Sequence, residues 1–310
     1  VADWVIRKKL RAVSYELRAV GYEPLRSKRL AAHSSRLAAF LYFHGVYSRL
    51  QLAAKYLRYY LSASNGRGHG VHSPFVFDFI TNVLNDKRDF YAYSRVEQLR
   101  AGLAADERML AVDDFGAGPA GGRSQRRKLS AIVQTAVKPR KYGQLLFRMA
   151  AYYRPHYVLE LGTSVGITTS YLAMADNQAI VTTIEGSAAV AEIARENFKK
   201  LGLSSIALYN RPFDECLPRI IQHHPHLDFV FIDGNHRREP TLDYFQRLLP
   251  AMNENSVIVF DDIHWSRGME SAWQAVKSHP RVMMTIDLFF IGLVFFRKEF
   301  KVKQDFVIRF

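Results

Sequence analysis

From residue 138 onward the apolar positions of the chain fall into two alternating patterns. Short runs rich in Val, Ile, Leu and Phe, at 157–161, 180–184, 205–209, 227–232 and 256–260, have the length and branching of buried strands. Before, between and after them, at 144–153, 168–175, 188–201, 217–223, 241–248 and 269–277, apolar residues recur at intervals of three and four, as in helices that pack one face. Such alternation predicts a parallel sheet with helices on both faces. Right-handed crossovers then fix the topology to a doubly wound, Rossmann-like α/β type. The last runs, at 282–288, 292–297 and 305–310, follow one another without helices, so an antiparallel C-terminal hairpin is expected to close that edge of the sheet.

The N-terminal part reads differently, as a helical extension in two segments. Leu10-Arg-Ala-Val-Ser-Tyr-Glu16 is followed at once by Leu17-Arg-Ala-Val-Gly-Tyr-Glu23, and Arg29-Leu-Ala-Ala32 recurs as Arg36-Leu-Ala-Ala39. Repeats of seven suggest a helix or coiled-coil seam, but the register breaks at Pro24 and the copies are too few to sustain one. The chain opens on Val1 and has no methionine before Met109. Residues 1–45 are therefore read in two ways, as a basic helical arm or as a disordered stretch foreign to the native protein.

Residues 46–137 are expected to form a helical region on the substrate side. Within it, 47–61 predicts an amphipathic helix packing Leu50, Ala53, Ala54, Leu57 and Leu61, while Ser73 and Pro74 mark a helix start. Residues 81–110 also read as helical. The glycine-rich stretch 112–122 imitates a nucleotide loop, but Pro119 and the charged run after it do not continue as an amphipathic helix. It is read as a surface loop and a candidate substrate lid. Residues 138–310 form the third unit, the α/β domain.

A formal charge of +14 suggests a polyanion partner until it is mapped. Residues 1–70 hold 13 Lys and Arg against 3 Asp and Glu, leaving 30 against 26 for the remainder. Nucleic acid is thus an expected partner only through the N-terminal segment. The single cysteine, Cys216, excludes an internal disulfide framework and a cysteine zinc cluster and fits a cytoplasmic protein. The apolar run 288–296 is too short to span a bilayer, and no secretory signal is evident.

The chemistry concentrates at the ends of the predicted strands. Glu160-Leu-Gly-Thr-Ser-Val-Gly166 runs from the first strand into a helix, with Gly162 and Gly166 allowing close backbone approach and the helix start offering unpaired N–H groups. Nineteen residues after Gly166 the second strand ends in Glu185, followed by Gly186, placed to accept hydrogen bonds from both ribose hydroxyls. A nucleoside cofactor is the natural occupant. Thr163 and Ser164 stand where a dinucleotide loop needs glycine, and the Glu160 carboxylate would repel a pyrophosphate but attract an ammonium or sulfonium group. These features point to S-adenosylmethionine.

With that motif and spacing, residues 138–300 resemble the class I methyltransferases, and within them the catechol O-methyltransferase-like group. The resemblance implies that Phe213 and Asp214, after the third strand, bracket the adenine. The fourth and fifth strands end at Asp233 and at Asp261-Asp262. Three carboxylates gathered there repel one another unless a cation or protons compensate, and oxygen donors suit Mg2+. In the resembling enzymes an Asp, Asp, Asn trio holds magnesium, so Asp233, Asp261 and Asp262 are candidate ligands, with Asp262 departing from the family's Asn. The lysine base of those enzymes stands three residues after the first ligand; here that position is His236, a group that titrates near neutrality. His264 is a second candidate ligand or base.

The expected function is O-methylation of a small-molecule hydroxyl acceptor by a cytoplasmic enzyme, with a homodimer left open. Two alternatives stand beside it: a metal-independent methyltransferase acting on nitrogen or RNA, and a non-catalytic cofactor-binding or nucleic-acid adaptor using the basic arm.

Overall fold

The computed structural model describes residues 45–68, 71–113 and 124–310. The seven-residue repeats and most of the glycine-rich stretch lie outside the described residues. In chain order, helix α1 (Arg49–Ser62) is followed by α2 (Pro74–Phe79), a π-helical turn (Ile80–Leu84) and α3 (Tyr91–Ala104). Strands β1 (Met109–Asp113) and β2 (Ser124–Lys128) lead to α4 (Leu129–Ala136) and α5 (Arg140–Tyr153). The regular alternation then begins: β3 (Tyr157–Leu161), α6 (Ile167–Ala175), β4 (Ile180–Ile184), α7 (Ala188–Leu201), β5 (Ile206–Tyr209), α8 (Phe213–His223), β6 (Leu227–Ile232), α9 (Arg238–Leu248), β7 (Met252–Asp261) and α10 (Arg267–Ser278). Strands β8 (Met284–Asp287), β9 (Ile291–Phe295) and β10 (Gln304–Val307) end the chain.

Eight strands form one sheet in the order β10-β8-β9-β7-β6-β3-β4-β5. From β5 to β7 every pairing is parallel, as the alternation predicts. Strand order turns back at β3, whose neighbours are β4 on one side and β6 on the other, so the topological switch point lies at the tips of β3 and β6. The expected hairpin is present, but it is not the edge. β9 inserts between β7 and β8, antiparallel to both, and β10 pairs parallel to β8 beyond it.

Side-chain alternation along β3, β6 and β7 divides the core between the two faces of the sheet. Val158, Phe229, Phe231, Val257 and Val259 face α5 and the π turn, whereas Leu159, Leu161, Val230, Ile232, Ile258 and Phe260 face α8, α9 and α10. Complete burial of a side chain such as Phe229 contributes roughly 2 kcal/mol. Trp273 on α10 belongs to this core, its ring against Gly292. Cys216 is a buried, packed thiol.

Two local expectations are overturned. Helix α1 exists, but its packed face is Leu52, Tyr56 and Tyr59, while Leu50 and Leu61 are 82% and 53% exposed. The tyrosines win because Phe289 waits for them, 5.0 Å from Tyr56 and 5.2 Å from Tyr59 between ring centroids, and because the Tyr59 hydroxyl donates to the Ile308 carbonyl. Residues 81–110 are not one helix. The buried Arg148 guanidinium donates to the Val83 carbonyl at 2.6 Å and to that of Leu84 at 3.4 Å, ending the π turn, and α3 begins only at Tyr91. The residues after Arg108 then pair as β1 with β2 rather than continuing α3, so the glycine-rich stretch joins two antiparallel strands. Among the described residues no helix is long and apolar enough to cross a membrane.

Candidate active site

The carboxyl ends of the parallel strands gather the sequence-predicted residues and also much of the unusual backbone. Of the five non-glycine residues at positive φ among the described residues, Ser164, Asn235, Asp262 and Phe289 follow the ends of β3, β6, β7 and β8; the fifth, Arg154, caps α5. Strained conformations persist where surrounding structure holds them, and their gathering on one side of a sheet is a mark of a functional site. Gly162, at φ 107°, turns the chain sharply after β3, and a Cβ placed there would lie 2.0 Å from the Asp233 carbonyl oxygen. The Gly162 and Thr163 N–H groups both donate to the Ile184 carbonyl at 3.1 Å, tying this turn to the end of β4. Gly166, at φ 81°, begins α6 against the Phe198 ring.

Glu160 and Glu185 stand on either side of that turn. Glu160 is completely buried; its Oε2 accepts from the Thr169 hydroxyl and, at 2.7 Å, from the Thr183 hydroxyl. Thr183 and Thr163 share a further hydroxyl contact of 2.6 Å. The other oxygen, Oε1, is buried without a hydrogen-bond partner, a costly arrangement for a carboxylate. Burial accordingly pushes the Glu160 carboxyl up to about 8; the two threonine hydroxyls pull it down, and the nearby Glu185 charge pushes it further up. Glu185 is held instead by backbone: its Oε2 accepts from the Ser164 N–H and its Oε1 from the Ser187 N–H, both at 2.9 Å. Burial raises its pKa while those amides lower it. Asn210 fixes the loop from behind, donating to the Glu185 and Gly186 carbonyls at 2.8 and 3.0 Å.

Phe213 opens α8 and packs on the loop after β6, close enough that a Cβ on Gly234 would lie 2.7 Å from its ring. Asp214 is exposed, and its carboxylate lies 3.6 Å from Arg247 on α9.

A second group forms at the ends of β6 and β7. Asp233, His236 and Asp261 each offer one atom within 4.8 Å of the others, the His236 Nε2 lying 3.7 Å from Asp233 Oδ1. Asp262 is not in that group; its backbone N–H donates to the Phe290 carbonyl at 2.7 Å. Lys138, in the turn before α5, reaches into the same place. Its ammonium contacts Asp261 Oδ2 and lies 3.4 Å from Asp262 Oδ1. The carboxylates raise the lysine's pKa against the opposing effect of burial. Burial holds Asp233 up at about 6, with Lys138 opposing, and raises Asp261 well above the carboxylate range. The cation that three gathered carboxylates require is therefore supplied by the chain. An oxygen-rich donor set suits Mg2+, but two of its three carboxylates are already engaged by an ammonium, and the residues as placed do not fit a divalent ion.

His264, the second candidate ligand or base, has both ring nitrogens taken. Nδ1 lies 3.0 Å from Glu270 and Nε2 2.8 Å from Asp287, and these carboxylates hold it up at about 9 despite its burial. Glu270 also receives the Lys55 ammonium at 2.9 Å and the Tyr47 hydroxyl at 2.5 Å. His264 thus ties α1 to the sheet.

Sequence reasoning missed Lys138 and Asn210. A lysine before a proline in a basic run carries no signal of its own; only the demand for a cation among the strand-end carboxylates pointed to it.

Residues 159–263 match the family model described as a methyltransferase domain. Among solved structures, the SAH-bound methyltransferase PaMTH1 of Podospora anserina superposes with a TM-score of 0.51 at 14% identity, covering 73% of this chain and 97% of that one. An O-methyltransferase of Bacillus cereus in complex with SAH gives a TM-score of 0.46 at 20% identity, over 71% and 97% of the two chains. The O-methyltransferase TomG of Streptomyces achromogenes, in complex with SAM, gives 0.48 at 18%, over 72% and 96%. No curated protein matches the sequence. At these identities the structural likeness is one of fold, whereas the family match falls on the strands and loops that build the site. Residues 159–263 thus match a methyltransferase domain, carried on a Rossmann-like sheet.

Proposed function

We propose that this protein transfers a methyl group from S-adenosylmethionine to a hydroxyl oxygen of a small-molecule acceptor, in the manner of the catechol O-methyltransferase-like group. The observation that carries the reading is the pair of acids flanking Gly162. Glu160 Oε1 is buried with no partner, and the Glu185 carboxylate is fixed at the neighbouring strand tip by two backbone amides. The first matches the ammonium of the methionine end. The second, with lone pairs to spare, matches the ribose hydroxyls. Phe213 and Asp214 flank the adenine, and Gly162, Thr163, Ser164, Gly166 and Gly186 supply the backbone around it. The SAH-bound PaMTH1 shares this fold.

The reaction is in-line displacement. S-adenosylmethionine held between Glu160 and Glu185 would supply the methyl group, its carbon–sulfur bond breaking with the electron pair left on sulfur as the acceptor oxygen bonds to carbon, and His236 Nε2 would take the hydroxyl proton. Asp233 Oδ1 lies 3.7 Å from that nitrogen, so the acceptor would approach between the two side chains. Calorimetric titration with S-adenosylhomocysteine tests the assignment. Glu185→Ala is expected to lose about tenfold or more in affinity. His236→Ala is expected to keep the affinity but lose roughly 100-fold or more in turnover once an acceptor is found. Unchanged affinity in Glu185→Ala would contradict the cofactor assignment.

A further inference from the structure

Lys138 lies in the turn between α4 and α5, and its placement is set by packing rather than by a flexible surface tether. Pro139 is the N-cap of α5, and the first turns of that helix bury Tyr142, Gly143, Leu145 and Leu146. The backbone at 138 is therefore anchored, and the side chain, only 13% exposed, can reach only inward. It meets Asp261, itself 1% exposed, and Asp262 at 3.4 Å. Asp261 ends β7 in the middle of the sheet, and Asp262 follows it in a left-handed conformation with its amide bonded to Phe290, so the backbone that carries both acids is held beside the ammonium.

A divalent ion bound by Asp233, Asp261 and Asp262 would have to share these oxygens with a lysine that has no other described carboxylate at hand. It would also sit beside a like charge in a buried place, where screening is weak. Magnesium further demands close to six oxygens in near-octahedral array, which carboxylates drawn to an ammonium do not present. We propose that Lys138 is the resident cation of this site, standing where the resembling enzymes hold magnesium, and that the chain binds its ligands without a divalent ion. The inference rests on the methyl-transfer reading for its functional meaning, but its test does not.

Full-length protein is titrated with Mn2+ alone, followed by electron paramagnetic resonance of the free ion, and in parallel with S-adenosylhomocysteine by calorimetry, with and without EDTA. The wild-type chain is expected to take up no stoichiometric Mn2+ at millimolar concentration, and its S-adenosylhomocysteine affinity is expected to be unchanged by EDTA. Lys138→Met, which keeps the length of the side chain and removes its charge, is expected to gain Mn2+ affinity by about tenfold or more, because removing a unit charge beside a divalent ion relieves a strong repulsion. Adding Asp261→Asn should abolish the gain. One Mn2+ bound per wild-type chain, displaced by Mg2+, would overturn the proposal whether or not the variant folds, and so would a folded Lys138→Met that gains none. Failure of wild type to bind S-adenosylhomocysteine would instead count against the methyl-transfer reading and leave the Mn2+ result standing.

Discussion

Replacing Glu160 by glutamine separates the charge of this side chain from its shape. The carboxyl group sits at about 8, against an ordinary value of 4.5, chiefly because it is buried. That difference corresponds to roughly 5 kcal/mol disfavouring the ionised form in the folded, ligand-free protein. Because the folded value is raised, the stabilisation linked to the bound proton is complete below pH 4.5 and is lost as pH rises through about 8. Glutamine cannot ionise, yet its carbonyl can still accept from Thr169 and Thr183. Glu160→Gln should therefore be more stable than wild type by a few kcal/mol, order of magnitude, near pH 8 and indistinguishable from it near pH 4.5, as read by urea unfolding at each pH.

Ligand binding should show the reverse preference. An ammonium delivered to Oε1 favours the carboxylate, so binding of S-adenosylhomocysteine near pH 7 should expel close to one proton from Glu160. Calorimetric enthalpies in phosphate and in Tris should then differ by about the difference in buffer ionisation enthalpy. Loss of one buried charge-assisted hydrogen bond, about 1.5–3 kcal/mol, should weaken binding by Glu160→Gln roughly 10- to 150-fold and abolish the buffer dependence. Equal enthalpies in both buffers, together with unchanged affinity in the variant, would refute the claim that the orphaned oxygen is a ligand-binding group.

Two further outcomes follow from the same geometry. Gly162→Ala places a Cβ 2.0 Å from the Asp233 carbonyl at a φ of 107°, so it should shift the loop, lower stability by about 1–3 kcal/mol and abolish S-adenosylhomocysteine binding; a thermal melt and a titration matching wild type would show that the turn tolerates a side chain. His264 is held up at about 9 from 6.5 by Asp287 and Glu270, so its contribution is complete below pH 6.5 and is lost as pH rises through 9, an effect of roughly 3 kcal/mol. His264→Gln should flatten the unfolding free energy across that interval relative to wild type at each pH, and a slope identical to wild type would place the titration elsewhere.

The doubly wound core was legible because it is written locally. Runs such as 180–184, 188–201 and 227–232 carry a single periodicity each, and the structure places β4, α7 and β6 on those residues. Glu160 and Glu185 were legible for the same reason, since a motif at a strand end lands at the switch point once the sheet is parallel. The N-terminal helices were not. In α1 the leucines and the tyrosines both repeat at helical spacing, and nothing within the helix says which stripe will find Phe289. The break after Leu84 is likewise imposed by Arg148, 64 residues away.

Alternating periodicity and one glycine-containing strand-to-helix loop were enough to settle a Rossmann-like sheet and which strand ends meet at its switch point, because both depend on contacts between residues close along the chain. Which carboxylates are paid back by hydroxyls, by backbone amides or by Lys138 was decided only in three dimensions. Glu160 and Asp261 look alike as acids ending apolar strands, but one meets Thr169 and Thr183 with an oxygen left over and the other meets an ammonium arriving from a different turn. A buried charge takes its character from whatever the fold brings against it, and those partners come from parts of the chain that no local pattern connects.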